Sequence, residues 1–108
     1  MKKDNKIDRI FKALADPTRR EILYLLVAAA AAMNINEVSD RFPATRQGVT
    51  KHLKVLEQAG LVDIQKRGRE RYCVATPRPL KAVQEWVDFY KKFWDDKLDG
   101  LAGFLDRT

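Results

Sequence analysis

Three residues, Pro43-Ala44-Thr45, separate two short segments of helical pattern, and Gly60 closes the second of them. Pro43 cannot continue a helix, because it has no N–H and its ring crowds the preceding turn. Thr45 is a good N-cap, since its hydroxyl accepts from the open N–H groups of a new helix. A helix is therefore expected from Arg46 to Ala59, ending at Gly60, which takes the left-handed backbone of a C-cap without strain. Before the break, Asn36 is the expected cap of a helix from about Glu37 to Phe42, with Val38 and Phe42 facing inward. Two short helices joined by a three-residue turn make a helix-turn-helix, whose second helix fits a major groove.

On the N-terminal side, Ile7, Ile10, Phe11 and Leu14 recur at helical spacing and predict a first helix from about Asn5 to Ala15. Asp16-Pro17 then starts a second, from Pro17 to about Ala32, with Ile22, Leu23, Leu25 and Leu26 as its apolar surface. Its tail, five alanines from Ala28 to Ala32, favours helix and carries no chemistry. After Gly60 the period changes to two. Leu61 to Lys66 alternates, Arg67-Gly68-Arg69-Glu70 forms a turn, and Arg71 to Ala75 returns as a second strand. Pro77 and Pro79 end this hairpin. A long helix follows from about Leu80 to Leu105, with Leu80, Val83, Val87, Tyr90, Trp94, Leu101 and Phe104 near a heptad rhythm, widened by Trp86, Phe93 and Leu98. The expected fold is mainly α with a small β-hairpin, in the order four helices, two strands, one helix. At 108 residues it is expected to be one domain, 1–108.

Composition removes several function classes. Cys73 and His52 are each alone, so neither an internal disulfide nor a zinc cage of about four Cys/His ligands can be assembled. The sequence neighbours of His52, namely Thr50, Lys51 and Lys54, offer no carboxylate to orient it for triad catalysis. Five glycines contain neither a phosphate loop nor a dinucleotide fingerprint. The longest apolar run, Ile22 to Met33, spans 12 residues, short of the roughly 20 that cross a bilayer. With a charged N-terminus leading into an amphipathic segment, the reading is no signal peptide, no membrane insertion and a cytoplasmic location. No cofactor and no metal are expected.

The net charge is +6, and its distribution is uneven. Residues 41–72 carry eight basic against three acidic side chains, while residues 1–40 carry seven against six and residues 73–108 six against six. A basic central third attracts polyanions, of which nucleic acid is the commonest. A solvated surface would show the same sign, so position must decide. Projected at 100° per residue, Val49, Leu53 and Leu56 share one side of the fourth helix, and Gln47, Thr50, Lys51, Lys54 and Gln58 lie opposite. Gln pairs with adenine, Lys reaches guanine acceptors, and Thr donates to phosphate or touches a thymine methyl. Arg46 stands at the helix start, and Gly48 leaves room for close approach. An ordinary amphipathic surface helix is the alternative; the preceding turn and the following basic hairpin favour the nucleic-acid reading.

His52, at the border of that face, either touches phosphate or bonds locally. The hairpin tip, Lys66-Arg67-Gly68-Arg69-Glu70-Arg71, is suited to straddling a backbone or entering a minor groove. Cys73 is expected to be a half-buried packing residue. Five of the ten aromatics fall between Trp86 and Trp94, more than one small domain can cover, and such surface more often marks an interface between copies. Ile10, Phe11 and Leu14 of the first helix, with Trp86, Tyr90, Phe93, Trp94 and Leu98 of the last, are the candidate contacts between two copies.

The segments "ALADPTRREIL" (Ala13 to Leu23), "TRQGVTKHLKVLEQAGLV" (Thr45 to Val62) and "RGRERYCV" (Arg67 to Val74) closely resemble the ArsR-type winged-helix transcriptional repressors. The tail "PLKAVQEWVDFYKKFWDDKLDGL" (Pro79 to Leu101) is more similar to the SdpR-like branch than to the metal sensors. The resemblance implies a homodimeric repressor with a winged helix-turn-helix and a terminal dimerising helix, acting on double-stranded operator DNA. It assigns DNA reading to Thr45, Arg46, Gln47, Thr50 and Lys51, and the wing to Arg67 through Arg71. Metal-sensing relatives carry Cys-x-Cys in the third helix, where this chain has Glu37-Val38-Ser39-Asp40, or ligands on the terminal helix, which here has no histidine. Metal sensing is therefore not expected, and a protein effector, unidentified, is the kind of control seen in the SdpR-like branch. The rival from another class is a dimeric protein-interaction adaptor using the aromatic helix. An enzyme with Cys73 as nucleophile is a remote third.

Overall fold

A computed structural model describes residues 5–106, apart from the side chains of 102, 104 and 106. Phe104, part of the expected apolar rhythm, therefore has its side chain outside the described residues. Helix α1 (Lys6–Leu14) begins where the Asn5 side chain accepts from the Asp8 N–H at 3.0 Å. Helix α2 (Pro17–Ala29) begins with Asp16 accepting from the Arg19 N–H at 3.0 Å and Pro17 at the first helical position. It ends earlier than the alanine run predicts. Ala30 takes a left-handed backbone with φ 53°, a conformation that costs an L-residue about 1 kcal/mol or more. The next residues then enter a strand that propensity alone does not disclose.

That strand, β1 (Met33–Asn34), leads into the short helix α3 (Ile35–Ser39). The cap is Asn34, not Asn36. Its side chain accepts from the Glu37 N–H at 2.8 Å while Glu37 accepts from the Asn34 N–H at 3.0 Å, a capping box that satisfies two open donors at once. The earlier start also buries Ile35. At its other end α3 stops at Ser39, and six residues rather than three lead to helix α4 (Arg46–Gln58). Arg41 and Phe42 continue the turning with N–H bonds to the carbonyls of Val38 and Ser39, and Phe42 packs partly buried against the core as expected.

Helix α4 starts at Thr45, whose Oγ1 accepts from the Gly48 N–H at 3.0 Å. It closes as a Schellman turn: Gly60, at φ 77°, donates to Glu57, and Leu61 donates to Leu56. Strands β2 (Val62–Arg67) and β3 (Glu70–Ala75) follow, joined through Gly68 and Arg69. The φ of 65° at Gly68, first of these two residues, is what a type II′ hairpin turn requires. The sheet has three antiparallel strands in the order β1-β3-β2, with Met33 opposite Cys73 and Ile64 also opposite Cys73. Because β3 is central, Cys73 is fully buried rather than half-buried.

The core is built from Ile10, Ile22, Leu26, Val38, Val49, Leu53, Leu56 and Leu61, all essentially inaccessible, each worth about 1.5–3 kcal/mol on burial. Among the described side chains of the last helix, α5 (Leu80–Asp106), those that pack on that core are at its root, Leu80, Ala82 and Val83. Its 27 residues extend for about 40 Å at 1.5 Å per residue. The longest dimension of the molecule is 69 Å. No helix among the described residues is long and apolar enough to cross a membrane.

Candidate nucleic-acid interface

Two supports hold the presented face of α4. On its inner side Val49, Leu53 and Leu56 are fully buried, which fixes the helix against the core. At its start Thr45 caps the Gly48 N–H, and a Cβ on residue 48 would lie 3.3 Å from Thr45 Oγ1. The absent side chain at Gly48 therefore makes room for the cap itself. Outward, Arg46, Gln47, Thr50, Lys51 and Lys54 line a shallow open concavity of about 500 Å³, so the structure brings these five candidates together. The Thr50 hydroxyl donates to the Arg46 carbonyl at 2.8 Å, which leaves its methyl group and oxygen lone pairs for an outside partner.

His52 bonds locally. Its Nδ1 stands 3.4 Å from Arg19 Nη1 and 4.0 Å from Asp16 Oδ2. A carboxylate absent from its sequence neighbours thus stands near it from the start of α2, at the limit of ion-pair distance and without a hydrogen bond. The Arg19 N–H holds the Asp16 carboxyl below its ordinary value, and the charges of His52 and Arg19 add to this against partial desolvation. Arg19 itself is the residue that sequence reading missed. Its Nε donates to the Ala13 carbonyl at 2.7 Å and its Nη2 to Lys12 at 2.9 Å, while Arg20 Nη1 donates to Leu14 at 2.7 Å. Two adjacent arginines donate to the last carbonyls of α1, of which Lys12 also accepts from the Ala15 N–H, and positive charge there suits the helix dipole. The signal was present as Arg19-Arg20 just past the Asp16-Pro17 helix start.

In the hairpin the register divides the basic residues between two faces. Arg67 lies opposite Glu70, and Gln65 opposite Tyr72. On that face the guanidinium of Arg67 donates to Gln65 Oε1 at 2.7 Å and sits 5.0 Å from the Tyr72 ring centre, and Gln65 donates onward to Asp63. The Tyr72 hydroxyl donates to Glu70 at 2.9 Å, which raises the phenol above its ordinary value. On the other face Lys66 and Arg71 are a direct cross-strand pair, two like charges side by side, an arrangement unfavourable in a free sheet. Arg69 is exposed at the tip. The wing candidates therefore differ: Arg67 is engaged within the chain, and Lys66 and Arg71 are not.

The surfaces expected between two copies also separate. Ile10 is only 1% exposed, a correction to its expected place in a contact, because it shares the inward face of α1 with Ala13. Leu14 is half-buried against the core. Phe11 meets Trp86 edge-on at 5.1 Å, and Trp86 meets Tyr90 at 4.8 Å. Beyond them Phe89, Phe93, Trp94, Leu98 and Leu101 are all more than half exposed. Lys97 Nζ lies 5.1 Å from the Phe93 ring centre. Cys73, buried in the sheet, has its thiol pushed up to about 11 by desolvation and the charge of Glu57. Among the described residues no three His, Cys, Asp or Glu side chains gather as a metal-binding group.

A helix-turn-helix whose second helix presents Gln, Thr, Lys and Arg, followed by a basic two-stranded wing, defines a winged helix-turn-helix DNA-binding protein. A family described as "Helix-turn-helix domain" matches residues 14–65. The chain is 36% identical over 99 residues to the HTH-type transcriptional regulator Rv2034 of Mycobacterium tuberculosis, covering 92% of this chain and 88% of that protein. It is 28% identical over 81 residues to the transcriptional repressor SdpR of Bacillus subtilis, covering 75% and 88%. A solved ArsR-like transcriptional regulator from Rhodococcus sp. RHA1 superposes with a TM-score of 0.78 at 30% identity, covering 95% and 93%. A homodimeric winged helix-turn-helix DNA-binding domain from Mycobacterium bovis shares the fold, with a TM-score of 0.63 at 20% identity, covering 85% and 91%. The chain belongs to the ArsR-type winged helix-turn-helix transcriptional regulators, and its relatives here are regulators rather than enzymes.

Proposed function

We propose that this regulator is a homodimeric, cytoplasmic repressor that binds a palindromic operator in double-stranded DNA without sensing a metal. One observation carries the reading: the chain presents a basic recognition face on α4 and, separately, an apolar stripe on α5 that its own core leaves uncovered. A single recognition helix makes few contacts. A two-fold dimer sets two of them about 34–36 Å apart, matching successive major grooves. Phe11, Trp86, Tyr90, Phe93, Trp94 and Leu98 form the contact between copies. Arg46, Gln47, Thr50, Lys51 and Lys54 meet the groove, Thr45 and His52 hold that helix in place, and Lys66, Arg69 and Arg71 meet the backbone. Repression accords with the similarity to SdpR and dimerism with the solved homodimeric domain. The adaptor alternative gives the basic face no task.

The test is selection of bound sequences from random duplex DNA, followed by sedimentation of the protein with and without the selected site. Enrichment of an inverted repeat bound by two copies is the expected result. Failure to enrich any sequence, or a monomer bound as tightly to one half-site as to two, overturns the reading.

A further inference from the structure

A groove runs along α1 where it meets the end of α4 and the root of α5. One part, about 300 Å³, has Ala59, Pro79 and Ala82 as apolar lining, with Lys6, Arg9 and the Gln58 amide around them. Arg9 and Gln58 are shared with an adjoining concavity of about 430 Å³ that adds Lys12 and Val55. Among the described residues no carboxylate lines either part. Among the described residues, none of the three cations lies within ion-pair distance of an acid. Lys6 and Arg9 also stand in the first turn of α1, the end at which the helix dipole favours anions and disfavours cations. Asp8 shares that turn but does not line the groove.

Positive charge is therefore gathered over an apolar floor with no acidic partner among the described residues. Inorganic phosphate would meet the charge and leave the floor wet, and a neutral hydrocarbon would do the reverse. We propose that the groove is an effector site for a small amphipathic anion, a carboxylate with a hydrocarbon body. Its charge meets Lys6 and Arg9, and its apolar part covers Ala59, Pro79 and Ala82. The walls are α1, the last turn of the recognition helix and the root of α5, so an occupant acts on how these three elements sit together. The regulatory part rests on the reading of the chain as a DNA-binding dimer; the binding part does not.

The experiment titrates isotopically labelled full-length protein, free of DNA, with octanoate, octanol and octylammonium while amide shifts are followed. Octanoate is expected to saturate with shifts at Ala59, Gly60 and Ala82, about tenfold tighter than octanol, and octylammonium not to bind there. Arg9→Gln, an exposed change, is expected to abolish the preference for octanoate with the spectrum otherwise intact. Equal binding of all three probes, or shifts confined to Phe89, Phe93 and Trp94 on α5, overturns the site. On a selected operator, saturating octanoate is expected to change affinity about fivefold or more, and no change overturns the effector role. Should Arg9→Gln instead weaken DNA binding and its salt dependence while octanoate fails to bind, the cations belong to the DNA backbone contact and the proposal is wrong. A chain that binds octanoate but no DNA sequence leaves the site standing and removes the DNA reading instead.

Discussion

Arg19 meets His52 across the junction of α2 and α4, with Nη1 3.4 Å from Nδ1. The same guanidinium donates to the carbonyls of Ala13 and Lys12, so one side chain ends α1 and touches the flank of the recognition helix. Arg19→Ala is expected to lower unfolding free energy by about 1–3 kcal/mol, since two charge-assisted bonds disappear and the Ala13 carbonyl loses its partner, while Lys12 keeps the Ala15 N–H. Arg19→Lys is expected to recover only part, because an ammonium lacks the planar fork that reaches both carbonyls. Urea denaturation of the three proteins measures this; full recovery by lysine would show that charge alone matters here.

The wing pair Lys66 and Arg71 carries a prediction of opposite sign for folding and for binding. Removing one of two like charges set side by side relieves repulsion, so Arg71→Ala is expected to stabilise the free protein by a few tenths of a kcal/mol. The same change is expected to weaken binding to every duplex and to reduce the slope of log K against log salt by about 0.9 for each phosphate that is no longer neutralised. Arg67→Ala, at a residue engaged with Gln65 and Tyr72, is expected to change that slope less. Equal slopes for wild type and Arg71→Ala remove that side chain from the DNA interface.

Gln47 gives the complementary signature. It is exposed on the concavity of α4 and has the chemistry to pair with a base edge, so Gln47→Ala is expected to cost on the order of 1–3 kcal/mol on the best operator. Preference at one position of each half-site should relax while the salt slope holds. Uniform weakening across sequences places Gln47 on phosphate instead.

What could be read from the sequence was local. Thr45, Gly60 and Asp16-Pro17 mark helix ends because caps act within three or four residues, and each is where it was expected. The start of α3 was equally legible, since Asn34 stands three residues before Glu37 as a capping box requires. Strand β1 was not legible. Two residues, Met33 and Asn34, carry no period, and only pairing with distant β3 makes them a strand. The contact of His52 with Asp16 and Arg19 likewise depends on α2 and α4 meeting in space. The division of the wing between two faces depends on a register that the type II′ turn sets.

Cys73 supplies a pH prediction. Its folded value, about 11, lies above the ordinary 9.0, so keeping the thiol neutral contributes stability that is fully present below 9.0 and is lost as pH rises through about 11. Alkylation of the native protein at neutral pH is expected to be slower than that of the unfolded chain by about a thousandfold or more, since it must wait for opening. Cys73→Ala is expected to leave operator affinity unchanged. Rapid native alkylation that abolishes DNA binding would give this thiol a functional role.

Assembly is tested most directly at Trp94, which is 60% exposed in the single chain and lies beyond the root of α5 that packs on the core. A charge there stays in water while the protomer is alone, so Trp94→Asp is expected to keep the helical content and the unfolding midpoint of an isolated subunit. In a dimer built on α5 the same carboxylate is buried on both sides of the two-fold axis without a partner, costing about 3 kcal/mol or more, which is a hundredfold or greater loss in association. Tight operator binding should fall with it, because each remaining protomer engages one half-site alone. Sedimentation beside a DNA titration of wild type and Trp94→Asp decides the matter. A mutant that remains dimeric and binds the full operator as well as wild type moves the dimer interface away from this helix, and with it the spacing argument for the palindrome.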